Sequence, residues 1–151
     1  MITIYTDGAS RGNPGRGGYG TVLLYKGHRK ELCQGFRMTT NNRMELMAVI
    51  VGLEALKKPG MQVTVYSDSQ YVVDAINKRW VWKWKKTNYK GKKNADLWDR
   101  LLAVYEKHQV EFTWIKGHAG IRENERCDEL AVNCADGEDL NVDEGFEQKK
   151  T

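Results

Sequence analysis

Four acidic residues stand where a solvated surface charge is not expected. Asp7 ends an alternation in which Ile2, Ile4 and Thr6 share one face and Thr3, Tyr5 and Asp7 the other, and Asp68 follows a second strand-like run, Gln62 to Ser67. Glu45 falls in the first turns of the most hydrophobic helical stretch, and Asp128 lies beside the apolar set Cys127, Leu130, Ala131 and Cys134. Carboxylates that converge repel one another unless a cation neutralises them. An oxygen-only set, with no CxxC or paired histidine, favours a hard divalent ion, Mg²⁺ or Mn²⁺, over zinc. Two such ions about 4 Å apart can activate a water and stabilise a leaving oxygen in phosphodiester cleavage. Taken singly, each acid also has a plainer reading: a strand-end turn former, a helix N-terminal acid favoured by the dipole, or a surface charge. Spacing alone leaves both readings open.

A second cluster has the opposite sign. Residues 78–93 carry eight lysines and arginines and no acid, interleaved with Trp80, Trp82, Trp84 and Tyr89. Cations replace the counterions condensed on phosphate while aromatic faces pack against sugars and bases, so the segment reads as a nucleic-acid grip. Residues 136–151 hold six acids and two bases, and the rest of the chain is balanced at fourteen of each, which leaves a net charge of +4. The acidic stretch reads as a loosely ordered tail.

These clusters must be carried by a chain of 151 residues, 40% hydrophobic, which suits one globular domain and excludes disordered and collagenous classes. No apolar run approaches a bilayer span, and the start lacks a basic and an apolar signal region; the expectation is a soluble, cytoplasmic protein with no membrane partner. Cys33, Cys127 and Cys134, an odd count, are expected to be reduced and packed as small apolar residues. Gly15-x-Gly17-x-x-Gly20 matches dinucleotide and kinase glycine patterns, but a strand follows it where a nucleotide site needs a helix, so these glycines read as turn residues with positive φ.

The predicted order is a strand to Asp7, a wide turn Gly8 to Gly18, strands Tyr19 to Tyr25 and Glu31 to Met38, and a helix capped by Thr39 to Asn42 and stopped at Pro59-Gly60. A strand to Ser67, a helix from about Ser69 to Asn77, the basic stretch, a helix from about Asn94 to His108, a strand Val110 to Ile115 and a helix around Glu123 to Ala135 complete it. Strands and helices in this order imply an α/β mixed sheet with helices on its faces. The glycine-flanked loop Lys116-Gly117-His118-Ala119-Gly120 presents an imidazole able to exchange protons near neutrality.

Thr6-Asp7-Gly8-Ala9, Gly12-Asn13-Pro14-Gly15, Thr40-Asn41-Asn42-Arg43-Met44-Glu45-Leu46, Ser67-Asp68-Ser69-Gln70-Tyr71, Lys116 to Gly120 and Glu123-Asn124-Glu125-Arg126-Cys127-Asp128 together resemble bacterial type 1 ribonuclease H, in order and spacing, from residue 1 to about 135. The resemblance implies a five-stranded mixed sheet, a catalytic domain at 1–135 with the basic protrusion 78–93 inside it, and the tail 136–151 outside it. It implies endonucleolytic cleavage of the RNA strand of RNA/DNA hybrids, giving 3′-hydroxyl and 5′-phosphate ends, by a monomer with no small-molecule cofactor. Asp7, Glu45, Asp68 and Asp128 match the metal-binding carboxylates, for two Mg²⁺ ions with substrate or Mn²⁺ as an alternative, and His118 matches a mobile-loop histidine serving proton transfer or product release. Trp80, Trp84 and Tyr89 match the aromatic positions of the protrusion, with Lys85 and Lys86 among its cations; the link from Tyr89 to Asn94 is shorter than in well-known members. Asn13, Asn42 and Gln70, with Ser10 and Glu45 nearby, are implied contacts to 2′-hydroxyls, and Thr40, Arg43 and Asn94 to the DNA strand and phosphates. Two other classes remain: a catalytically silent hybrid-binding module on the same fold, and a strand transferase using similar carboxylates.

Overall fold

The alternation that opens the chain forms a strand, and that strand does not stop at Asp7. In the computed structural model, which describes residues 1–148, β1 (Ile2–Gly12) runs on past Asp7 because it stays paired with β2 (Gly15–Tyr25) down to Gly12 opposite Gly15. The expected wide turn shrinks to Asn13 and Pro14. β3 (His28–Thr39) continues the antiparallel meander. α1 (Asn41–Glu54) follows, capped by the Thr40 side chain, which accepts from the Arg43 amide at 3.3 Å. Then come β4 (Gln62–Ser67), α2 (Gln70–Asn77), α3 (Trp80–Lys86), α4 (Ala95–Tyr105), β5 (Gln109–Trp114) and α5 (Arg122–Asp136). β4 pairs parallel with β1 and with β5.

The mixed sheet flanked by helices is as expected, with one addition. Leu140 and Asn141 form a short β6 beside Gly35 and Phe36 of β3, so the order is β5-β4-β1-β2-β3-β6, six strands where five were expected. A short helix, α6 (Glu144–Glu147), follows. The acidic tail is therefore docked through residue 148 and is not loosely ordered. Gln34 donates to the Asp139 carbonyl at 2.9 Å, Arg37 pairs with Glu147 at 2.9 Å, and Asp143 is buried. Its last three positions, 149–151, lie outside the described residues.

α1, α2 and α4 enclose the main core, where Leu46, Ile50, Leu53, Trp98, Leu101 and Leu102 are fully buried. Removing one such leucine to alanine costs about 2–5 kcal/mol. α5 packs so tightly on β2 and β3 that a Cβ at Gly18, Gly20 or Gly35 would strike its backbone at Ala131, Cys127 or Cys134. These glycines serve close approach within strands; of the glycines from Gly12 to Gly20, it is Gly12 that takes a positive φ, at 89°. The same approach brings Cys33 of β3 and Cys134 of α5 into a disulfide, correcting the expectation of three reduced thiols; Cys127 stays free and buried. No helix among the described residues is long and apolar enough to cross a membrane.

Candidate active site

Thr6 pairs with Ser67 across the parallel β1–β4 register, so Asp7 and Asp68 emerge side by side where the two strands part. Glu45 reaches them from the first turns of α1, whose backbone lies so close to β1 that a Cβ on Gly8 would sit 2.5 Å from the Glu45 amide nitrogen. One oxygen from each of Asp7, Glu45 and Asp68 lies within 4.8 Å of the others. Asp7 and Glu45 are each 6% exposed. Asp7 Oδ1 accepts from the Gly8 amide at 2.9 Å, while Glu45 Oε1 is buried with no hydrogen-bond partner.

Burial in such company disfavours ionisation. Burial first, then the charge of Asp68, pushes Asp7 up to about 8, against the opposing Gly8 amide. Burial and the charges of Asp7 and Asp68 hold Glu45 well above the usual carboxylate range. Asp68 is raised by burial too, with the Asn124 amide and His118 pulling the other way. An orphaned buried oxygen and a crowd of carboxylates straining to stay protonated are what a hard cation would relieve, so these residues fit a divalent metal ion.

Asp128 on α5 stands half-buried just outside this trio, close enough that its charge raises both Asp7 and Asp68. The glycine seam under α5 sets that distance. His118 is exposed at φ 56° in the loop between β5 and α5, and its charge reaches Asp68. Gly117 presses the loop on Asp68: a Cβ there would meet Asp68 Oδ2 at 2.6 Å. Asn124, 3% exposed, is a residue that sequence reasoning did not single out; its amide lies beside Asp68 and favours its charged form without closing a well-formed hydrogen bond. Its burial, one turn before Asp128, was the missing signal.

The RNase H family model matches residues 1–136. The chain belongs to the RNase H family. It is 56% identical over 153 residues to the ribonuclease H of Rippkaea orientalis, covering 98% of this chain and 93% of that one. It is 60% identical over 147 residues to that of Desulforamulus reducens, covering 94% and 92%. Among solved structures it is similar to LC9-RNase H1, a type 1 RNase H, with TM-score 0.79 and 33% identity over 89% of this chain and 71% of that one. It is also similar to LC11-RNase H1 in complex with RNA/DNA hybrid, with TM-score 0.71 and 28% identity over 90% and 97%.

On the RNase H fold, the expected nucleic-acid contacts divide into residues that face solvent and residues that do not. Asn13, Asn42 and Gln70 are exposed and Ser10 and Thr40 half-buried; Asn13 Oδ1 accepts from the Asn41 amide at 3.1 Å, tying the β1–β2 turn to the start of α1. The basic segment is not a loop: residues 80–86 form α3, anchored by buried Val81, with Trp84 edge-on to Trp98 at 5.7 Å. Trp80 is 41% exposed with Lys78 over its ring, Lys92 lies over Trp84, and Lys86 is exposed. Lys85 Nζ lies 3.6 Å from Asp99. Two of the expected contacts are turned inward. Tyr89 is buried, its hydroxyl donating to Asp99 at 2.9 Å, so it braces the segment from within. Arg43, 2% exposed, is held between Asp96 and Asp143 and presents no free guanidinium to phosphate. Asn94 remains at the surface rim, half-buried at φ 67°, with its amide donating to the Tyr71 hydroxyl at 3.0 Å.

Proposed function

We propose that this chain is a divalent-metal-dependent endoribonuclease that cuts the RNA strand of RNA/DNA hybrids. The observation that carries the reading is the trio Asp7, Glu45 and Asp68, the first two buried, in which Glu45 Oε1 has no hydrogen-bond partner and none of the three forms a salt bridge with a lysine or arginine among the described residues. The solved hybrid complex of a 28% identical relative supports the choice of substrate. When bound, one or two Mg²⁺ or Mn²⁺ ions would acidify a water and stabilise the leaving 3′-oxygen.

The protein's own residues do the rest. Asp7, Glu45, Asp68 and Asp128 would hold the cations. Water oxygen bonds to phosphorus as the P–O3′ bond breaks, and protonation of the departing O3′ leaves 3′-hydroxyl and 5′-phosphate ends; His118, on an exposed loop against Asp68, exchanges a proton with that leaving group or with solvent as the product departs. Ser10, Asn13, Asn42 and Gln70 offer hydroxyl and amide groups that both donate and accept, the pairing a 2′-hydroxyl needs. Trp80, Trp84, Lys86 and the other cations of residues 78–93 hold the DNA strand as a monomer's single grip.

The deciding assay incubates end-labelled RNA/DNA hybrid, single-stranded RNA and duplex DNA with the protein and Mg²⁺. Internal cuts confined to the RNA of the hybrid are expected. Binding of hybrid with no cleavage would leave a silent binding module, and joined strands would make it a transferase.

A further inference from the structure

The nucleic-acid face borders the acidic C-terminal segment, and a cavity of about 510 Å³ opens between them. Thr40, Asn42, Lys92, Lys93 and Asn94 line one side, and Gly145 and Phe146 of the segment line the other. Arg43, itself almost wholly buried, also lines the cavity. Its Nε and Nη2 donate to Asp143 at 2.8 and 2.9 Å, its Nη1 and Nη2 to Asp96 at 2.9 and 2.7 Å, and Nη1 also reaches Asn94 Oδ1 at 3.3 Å. Asp143 accepts from the Thr39 hydroxyl at 2.6 Å as well. Gly145 is seated so closely that a Cβ there would run into Asp96 and Arg43.

The contacts continue outward. The Asn94 amide donates to the Tyr71 hydroxyl at 3.0 Å, the Trp98 indole donates to the same hydroxyl at 3.0 Å, and Trp98 packs on Trp84 of the basic segment. One buried arginine thus ties the C-terminal segment to α1, to the cap of α4 and, through Tyr71 and Trp98, to the aromatic grip. Asn94 takes a left-handed conformation, which asparagine adopts more readily than other non-glycine residues.

We propose that Asp143, acting through Arg43, is a positioning residue for nucleic-acid binding: it clamps the C-terminal segment so that Asn94, Lys92 and Lys93 present a fixed set of donors to the backbone of a bound hybrid. This rests on the hybrid reading above. It also runs against bare electrostatics, because an acid beside a polyanion site repels its ligand. Removing that charge should tighten binding if charge were its only role. A positioning role has the opposite sign.

The test is steady-state cleavage of RNA/DNA hybrid by the full chain at fixed salt, comparing wild type, Asp143→Asn and Gly145→Ala. The second variant displaces the segment while leaving every charge in place, and it stands in if the first does not fold. Phe112→Leu, in β5 and remote from the cavity, serves as a destabilised control. KM should rise about five- to tenfold in both segment variants with kcat within about twofold of wild type, and the control should keep the wild-type KM. A KM unchanged or lowered in Asp143→Asn, or raised equally in Phe112→Leu, would overturn the proposal. If wild type itself leaves hybrid intact, it is the functional reading that falls; if wild type cleaves and Asp143→Asn shares its KM, the positioning role alone falls.

Discussion

Two clusters of charge sit on opposite faces of α1's first turns, around buried Arg43 and buried Glu45, and they are built on opposite terms. Around Arg43, the carboxylates of Asp96 and Asp143 meet a guanidinium that satisfies them with short, paired hydrogen bonds. Around Glu45, two residues further along the same helix, Asp7 and Asp68 add only like charge, and Glu45 Oε1 has no partner. A buried charge with an internal counter-ion belongs to the architecture. One without a counter-ion costs stability, and the fold tolerates that cost where a ligand is to supply the missing charge.

The contrast can be broken first at the acid trio. Asp7→Asn should lower hybrid cleavage by about 10³-fold or more while leaving hybrid binding largely intact, read by turnover and by gel shift. A variant retaining near-wild-type turnover would end the assignment of the trio as the catalytic centre.

At the other cluster the expected loss is in stability. Arg43→Ala leaves Asp143 buried and unpaired, and should destabilise the fold by about 3–5 kcal/mol, seen as a fall in the urea midpoint. An unchanged midpoint would mean the pairs carry no structural role.

A smaller effect sharpens the comparison, because the same substitution that removes activity should add stability. Asp7 is pushed up to about 8 in the fold, whereas the unfolded chain gives up that proton near pH 4. Asp7's contribution to the stability of the cation-free fold is therefore fully present below about pH 4 and is lost as pH climbs toward 8, since the native state then binds more protons than the unfolded one. Asp7→Asn should flatten this decline and exceed wild type by about 1–3 kcal/mol at pH 8 in chelator. A variant less stable than wild type there would contradict the account. The smallest effect lies on the grip: Lys86→Gln should reduce the slope of log affinity against log salt by about 0.9, and Lys85→Gln by less, since Asp99 already stands 3.6 Å from Lys85.

The trio was legible in the sequence for a local reason. Strand alternation placed Asp7 and Asp68 at equivalent strand ends and the apolar stretch after Asn42 placed Glu45 at a helix start, while their convergence was implied by the resemblance to ribonuclease H. What the sequence concealed is non-local. Arg43, beside exposed Asn42 at a helix start, reads as a surface cation, and its partners lie 53 and 100 residues away. The C-terminal acids look like a solvated run because their counter-charges, Arg37 and Arg43, belong to β3 and α1. Tyr89 and α3 were hidden by the eight cations around them, since a charge count does not reveal that Val81 and Tyr89 turn inward. The glycines of β2 look like turn formers until α5 is laid across them.

The claim that the acid trio awaits a cation is tested most directly by titrating the protein with Mg²⁺ at pH 7 in buffers of different ionisation enthalpy. With Asp7 and Glu45 both raised, cation binding should expel protons, so the measured heat should vary with the buffer in wild type and vary less in Asp7→Asn. Heats that are the same in every buffer would show carboxylates already ionised without a cation, and would contradict the account.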